Sequence, residues 1–204
     1  CGLLPPYYEG SRVIKTLLDA YREQKPDAQN AAQRVTFGTS GHRGSALKST
    51  FNEQHILAIA QAVADYRRQE HFTGPLFLGL DTHALSRSAW ETCLQVLVAN
   101  KVDVRIAADQ QVTATPLVSR AILKANAGKT TGLADGVIIT PSHNPPEDGG
   151  IKYNTPDGGP ADGDVTGWIE SRANQYLANG CAEVKTVSLD DALKAASEYD
   201  YIGE

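Results

Sequence analysis

The sequence predicts an α/β protein, a mixed and largely parallel sheet with helices on both faces, and three observations carry that expectation. Short apolar runs, "PLFLGLD", "VDVRIAA" and "GVIIT", alternate with longer stretches of helical periodicity. Strands linked through helices of that length pair in parallel through crossovers, inside a sheet that helices cover. The text "EDGGIKYNTPDGGPADGDVTG" then surrounds the short "IKYN" with Gly, Asp and Pro and reads as a hairpin or extended loop beside the third run.

The elements follow in order. Residues 11–24, "SRVIKTLLDAYREQ", set Val13, Ile14, Leu17, Leu18 and Tyr21 at helical spacing. The polar "KPDAQNAAQ" reads as a linker, so residues 1–33 form a helical extension and linker ahead of a domain over 34–204. In "RVTFGTSGHRGS" three glycines among small polar residues forbid a regular element and let the backbone approach a ligand. A helix starts just after this first loop: Thr50 and Glu53 have capping-box spacing, and Ile56, Leu57, Ile59, Ala60 and Val63 share a face. Strand "PLFLGLD", helix "SRSAWETCLQVLVAN", strand "VDVRIAA" and a helix opened by Thr115-Pro116 lead to strand "GVIIT". Beyond the hairpin, "WIESRANQYLAN" and "DDALKAASEY" read as helices.

Composition limits the function classes. The 204 residues, 41% apolar and 21% charged, suffice for a real core. A net charge of -5 argues against nucleic-acid and anionic-membrane partners, which attract clustered Lys and Arg, yet leaves room for a small anion in a local cationic pocket. The three cysteines have no C-x-x-C spacing, so neither a disulfide framework nor a zinc site is expected, and a cytoplasmic, reducing location fits. No window reaches the ~20 apolar residues of a membrane span, and no secretory signal core is visible. The absence of Met points to a processed or recombinant chain, or a piece of a longer product.

Chemistry concentrates where "GVIIT" ends on "PSHNPP". Prolines around Ser142 restrict the backbone and hold one hydroxyl at a sheet edge, where α/β proteins place their sites. Adjacent side chains on an extended segment point apart, and no G-x-S-x-G elbow exists, so a serine hydrolase is disfavoured. His143 could donate to an anion or satisfy a loop carbonyl. The first loop offers Thr39, Ser40, His42 and Arg43 among Gly38, Gly41 and Gly44, a set of donors that suits a phosphate without the spacing of a Walker loop. Lys152 is close enough in sequence for the hairpin to return its ammonium to Ser142. Asp157, Asp162 and Asp164 tempt a calcium reading, but their spacing fails the EF-hand template.

"GTSGHRG", "TPSHNP" and "DGGIKYN", in that order, resemble the α-D-phosphohexomutases, closest to the bacterial glucose-specific phosphoglucomutases. The similarity runs from about Arg34 to about Asp162 and includes "FNEQHILAIAQA", "DTHALS", "ATPLVSRAIL" and "GGPAD". The resemblance implies the first, mixed α/β domain of a four-domain fold, the domain that carries the catalytic serine. It implies that Ser142 is phosphorylated and interconverts glucose 1-phosphate and glucose 6-phosphate through glucose 1,6-bisphosphate. Arg43, His143 and Lys152 would supply positive charge, Lys152 would handle the hydroxyl proton, and Thr39, Ser40, His42 and Asn144 would help bind phosphate. The serine phosphate would also meet Mg²⁺, whose other ligands in the family are aspartates of a D-G-D-x-D-R loop. "ADGDVTG" shares only the first letters of that loop and lies in the wrong place. The chain therefore reads as a fragment, inactive alone, whose partners are a hexose phosphate and the remaining mutase domains. A phosphomannomutase or phosphoglucosamine mutase domain, or a non-catalytic phosphate-binding module, is the alternative.

Overall fold

The computed structural model describes residues 12–38 and 41–203. Its centre is a six-stranded sheet, with strands β1 (His42–Ser45), β2 (Leu76–Leu80), β3 (Val104–Ala107), β4 (Asp135–Ile139), β5 (Asp148–Asn154) and β6 (Ser197–Tyr199) in the order β1-β5-β4-β2-β3-β6. β2 pairs in parallel with β3 and β4, β3 with β6, while β5 runs antiparallel to both β4 and β1. The expected mixed, largely parallel α/β sheet is what forms.

Alternation along the strands explains why helices cover both faces. Leu76, Leu78 and Leu80 of β2 and Val137 and Ile139 of β4 enter the larger core. Phe77 and Ile138, one residue out of step, enter a smaller core on the opposite face. The larger core takes apolar side chains from α1 (Arg12–Glu23), α2 (Glu53–Gln69), α3 (Ser86–Ala99), α5 (Gly163–Ala178) and α6 (Leu189–Ala195). The smaller is closed by Val118, Ala121 and Ile122 of α4 (Thr115–Asn126) and by Tyr201. The N-terminal helix is thus part of the main core: Leu17, Ala20 and Tyr21 are buried, and the Tyr21 hydroxyl donates to Thr92 Oγ1 at 3.1 Å.

Three expectations need correction. The first loop contains a regular element after all, because β1 is an edge strand that pairs with the glycine-rich start of β5, Arg43 opposite Gly150 and Gly44 opposite Gly149. The helix cap moves from Thr50 to Asn52, whose backbone N–H donates to His55 Nδ1 at 3.0 Å; Thr50 Oγ1 instead accepts from the Ser45 N–H at 2.8 Å. "SEY" is a short strand rather than the end of a helix, drawn onto the edge of β3 as Tyr199 and Tyr201 pack on Phe77.

Candidate active site

Two strand ends build the site. Leu80 and Ile139 are register partners in parallel neighbours, so the chain leaves β2 at Asp81 and β4 at Thr140 along one edge of the sheet. Thr140 starts the serine loop by accepting the Ser142 N–H on its Oγ1 at 2.9 Å, while its own N–H donates to the Gly150 carbonyl at 2.8 Å. Gly150 has to be glycine, because a Cβ there would lie 2.4 Å from the Thr140 oxygen and 2.7 Å from Pro141 Cα. Ser142 itself is exposed and adopts φ +63°, a left-handed conformation uncommon for a residue with a Cβ and often a sign of a functional turn.

The antiparallel return of β5 brings Lys152 back. Ile151 and Tyr153 point into the larger core, so Lys152 between them takes the other face, and its ammonium donates to Ser142 Oγ at 2.6 Å. Arg43 shares that face, being opposite Gly150 and therefore diagonal to Lys152 across the β1–β5 pair. Partial burial, and then the like charge of Arg43, hold the Lys152 ammonium below the ordinary lysine value, while Asp81 opposes both. Gly41, at φ +150°, lets the first loop pass close by: a Cβ there would meet the Ile151 oxygen at 2.3 Å and Lys152 Cγ at 2.9 Å.

The remaining candidates divide. His143 is exposed beside the serine, and Asn144 donates from Nδ2 to Asp148 Oδ2 at 3.0 Å, fastening the loop to the start of β5. Thr39 and Ser40 lie outside the described residues. His42 is removed from the list of phosphate-binding side chains, since its ring is buried between Phe51 and His55 at centroid distances of 6.1 and 5.1 Å. Its Nε2 donates to the Thr50 carbonyl at 2.9 Å and its Nδ1 accepts the Thr36 N–H at 3.2 Å, which leaves no ring nitrogen for a ligand. Two aspartates of "DGGPADGD" have local partners: Asp162 caps α5 through the Val165 N–H, and Asp157 accepts from Thr155 Oγ1 and the Gly159 N–H.

Sequence reasoning did not single out Asp81, His83 and Ser86. The Asp81 carboxylate accepts from the Ser86 hydroxyl at 2.6 Å and from His83 Nδ1 at 2.8 Å, and His83 Nε2 reaches the Asn144 carbonyl at 3.1 Å. The available signal was position, because "DTH" directly follows an apolar strand run. Among the described residues no group of three or more His, Cys, Asp or Glu could hold a metal ion, and the group facing Ser142 Oγ is an ammonium. These residues do not by themselves fit a divalent cation. No helix among them is long and apolar enough to cross a membrane, and Cys93 and Cys181 are free buried thiols.

The family model for domain I, the alpha/beta/alpha domain, of phosphoglucomutases and phosphomannomutases matches residues 34–179. A phosphoglucomutase of Komagataeibacter xylinus is 59% identical over 191 residues, 93% of this chain and 34% of that protein. Phosphoglucomutase-1 of Bos taurus is 30% identical over 158 residues, 76% of this chain and 25% of its own. Among solved structures, the open form of Paramecium parafusin, described as a phosphoglucomutase, superimposes with a TM-score of 0.61 at 26% identity, covering 82% of this chain and 30% of that one. The chain thus spans about a quarter to a third of the length of these relatives.

Proposed function

The chain belongs to the phosphoglucomutase/phosphomannomutase family, whose domain I it carries, and from that premise we propose that it is the phosphoserine-bearing part of a phosphoglucomutase. The observation that carries this reading is the Lys152 ammonium at 2.6 Å from Ser142 Oγ, at the end of a buried strand and with Arg43 on the same face. Phosphoryl transfer asks mainly for positioned positive charge, and this arrangement offers it around one exposed hydroxyl.

In this reading phosphorylated Ser142 gives its phosphoryl group to a free hydroxyl of glucose 1-phosphate. The bond from phosphorus to the sugar oxygen forms as the bond to Ser142 Oγ breaks, and the hydroxyl proton leaves. Lys152 neutralises charge that builds on Oγ and, with its proton affinity lowered by burial and by Arg43, exchanges the proton of the attacking or leaving hydroxyl. The resulting glucose 1,6-bisphosphate turns over and returns its other phosphate to Ser142, leaving glucose 6-phosphate. Arg43 and His143 meet the phosphate oxygens, Asn144 keeps the loop on β5, and Thr39 and Ser40 contribute donors from the first loop.

Mg²⁺ belongs to the proposal as the metal of the family, where it would supply further charge stabilisation on the phosphate of Ser142, with its other ligands outside residues 1–204. The hexose phosphate and the remaining mutase domains are the proposed partners. A cytoplasmic location, supported by the two free thiols, completes the reading. The test is conversion of glucose 1-phosphate to glucose 6-phosphate by the protein from its native source. Activity that disappears in Ser142→Ala supports the proposal, and undiminished turnover in that variant overturns it.

A further inference from the structure

His83 stands between two groups that only accept hydrogen bonds. Its Nδ1 is 2.8 Å from Asp81 Oδ2 and its Nε2 is 3.1 Å from the Asn144 carbonyl oxygen. A neutral imidazole carries one N–H and could satisfy only one of them; the doubly protonated ring satisfies both. Asp81 is itself fixed, because its N–H donates to the Ile139 carbonyl at 3.0 Å and its Oδ1 accepts from Ser86 Oγ at 2.6 Å and from the His83 N–H at 2.9 Å. The chain of contacts therefore runs from the β2–β4 pair, through Asp81 and His83, to a residue two positions beyond Ser142.

We propose that His83 is a positioning residue: held through Nδ1 by Asp81 and through Nε2 by the Asn144 carbonyl, it clamps the Ser142 loop to the end of β2. The clamp goes beyond the mutase reading and stands on these contacts alone; only its consequence for catalysis rests on that reading. The loop needs such an anchor, since Ser142 holds a left-handed φ and its nearest partner, Lys152, has a long, flexible side chain. Three carboxylates and one cation lie around the ring. Asp81 is bonded to it, Glu147 of the serine loop lines the same groove, and Asp148 lies behind Asn144. The face of α1 that closes the groove presents Val13, Ile14 and Leu17, while Lys152 lies across Asp81 as the opposing cation.

Hydrogen exchange of the backbone amides of Ser142, His143, Asn144, Glu147 and Asp148, followed by mass spectrometry at a single pH, tests the clamp without any reference to activity. His83→Ala, which removes both contacts, is expected to lower protection of this segment about tenfold while α2 and α3 exchange as in the wild type. His83→Gln, whose amide can still reach one of the two acceptors, should recover part of that protection, whereas Glu147→Gln should retain all of it. Wild-type protection of the segment in His83→Ala overturns the proposal. So does an equal loss in Glu147→Gln. Should His83→Ala fail to fold, His83→Gln decides, since wild-type protection there also overturns the proposal. Because no catalytic readout enters, failure of the clamp and failure of the mutase reading are separately visible.

Discussion

Acidification should destabilise the fold through His55 before most carboxylates titrate. His55 is fully buried, its Nδ1 accepts the Asn52 N–H and its Nε2 donates to the Gln33 carbonyl at 2.9 Å, so it is neutral in the folded protein. Burial first, and then the neighbouring His42 ring, pull its pKa from the ordinary 6.5 down to about 3. Unfolded chains bind a proton below pH 6.5 that the folded chain refuses, so stability is intact above 6.5 and falls as pH drops toward about 3. At pH 5.5, one unit below the unfolded value, the loss from His55 alone is about 1.4 kcal/mol. His42, also shifted down by burial, adds loss in the same direction. The assay is urea denaturation at pH 7.5 and 5.5 of wild type and His55→Gln, whose amide can replace both ring contacts without titrating. The wild type should lose about 1.4 kcal/mol more than the variant between the two pH values. Equal losses, within about 0.5 kcal/mol, would refute the assignment of a neutral buried ring.

Further outcomes are expected from the same geometry. Ser142→Ala should leave stability within about 0.5 kcal/mol of wild type, checked by thermal unfolding, because an exposed loop hydroxyl packs against no core. Under the proposed mutase reading, Lys152→Met should reduce turnover by about 100-fold or more while substrate KM changes far less, as steady-state kinetics would show, since the lost contact is to Ser142 Oγ, the oxygen proposed to react. Arg67→Met should cost about 3–5 kcal/mol in urea denaturation: Arg67 pairs with Asp135 at the buried start of β4, and its loss leaves a buried carboxylate without its cation, bonded to the Tyr153 hydroxyl at 2.6 Å. Gly150→Ala should destabilise by about 1–3 kcal/mol and loosen the serine loop in hydrogen exchange, because the added methyl collides with Thr140 and Pro141.

The strands that carry the site were legible because they are buried on both faces, which makes them continuous apolar runs bounded by turn residues, and helix spacing was equally plain for α2 and α3. Edge elements were not. β1 has four residues, three of them polar or charged and one a glycine, and its pairing depends on glycines in β5 far along the sequence. β6 depends on aromatic packing between residues more than a hundred positions apart, Phe77 with Tyr199 and Tyr201. At the site, the prolines around Ser142 and the short return to Lys152 were local signals, and the structure puts those two side chains in contact. His42 misled because a histidine between glycines looks like a ligand, whereas Phe51 and His55, further along the chain, make a slot for the ring. His83 was passed over because its partners, Asp81 beside it and Asn144 61 positions away, meet only once β2 and β4 lie side by side.

The most direct test of the central claim is phosphate localisation by peptide mapping and mass spectrometry on the protein purified from its native source, before and after incubation with glucose 1,6-bisphosphate. Phosphate on Ser142 that increases with the bisphosphate and is removed by glucose 1-phosphate is the predicted result. A Ser142 that stays unmodified under both conditions, or phosphate confined to another residue, would contradict the account.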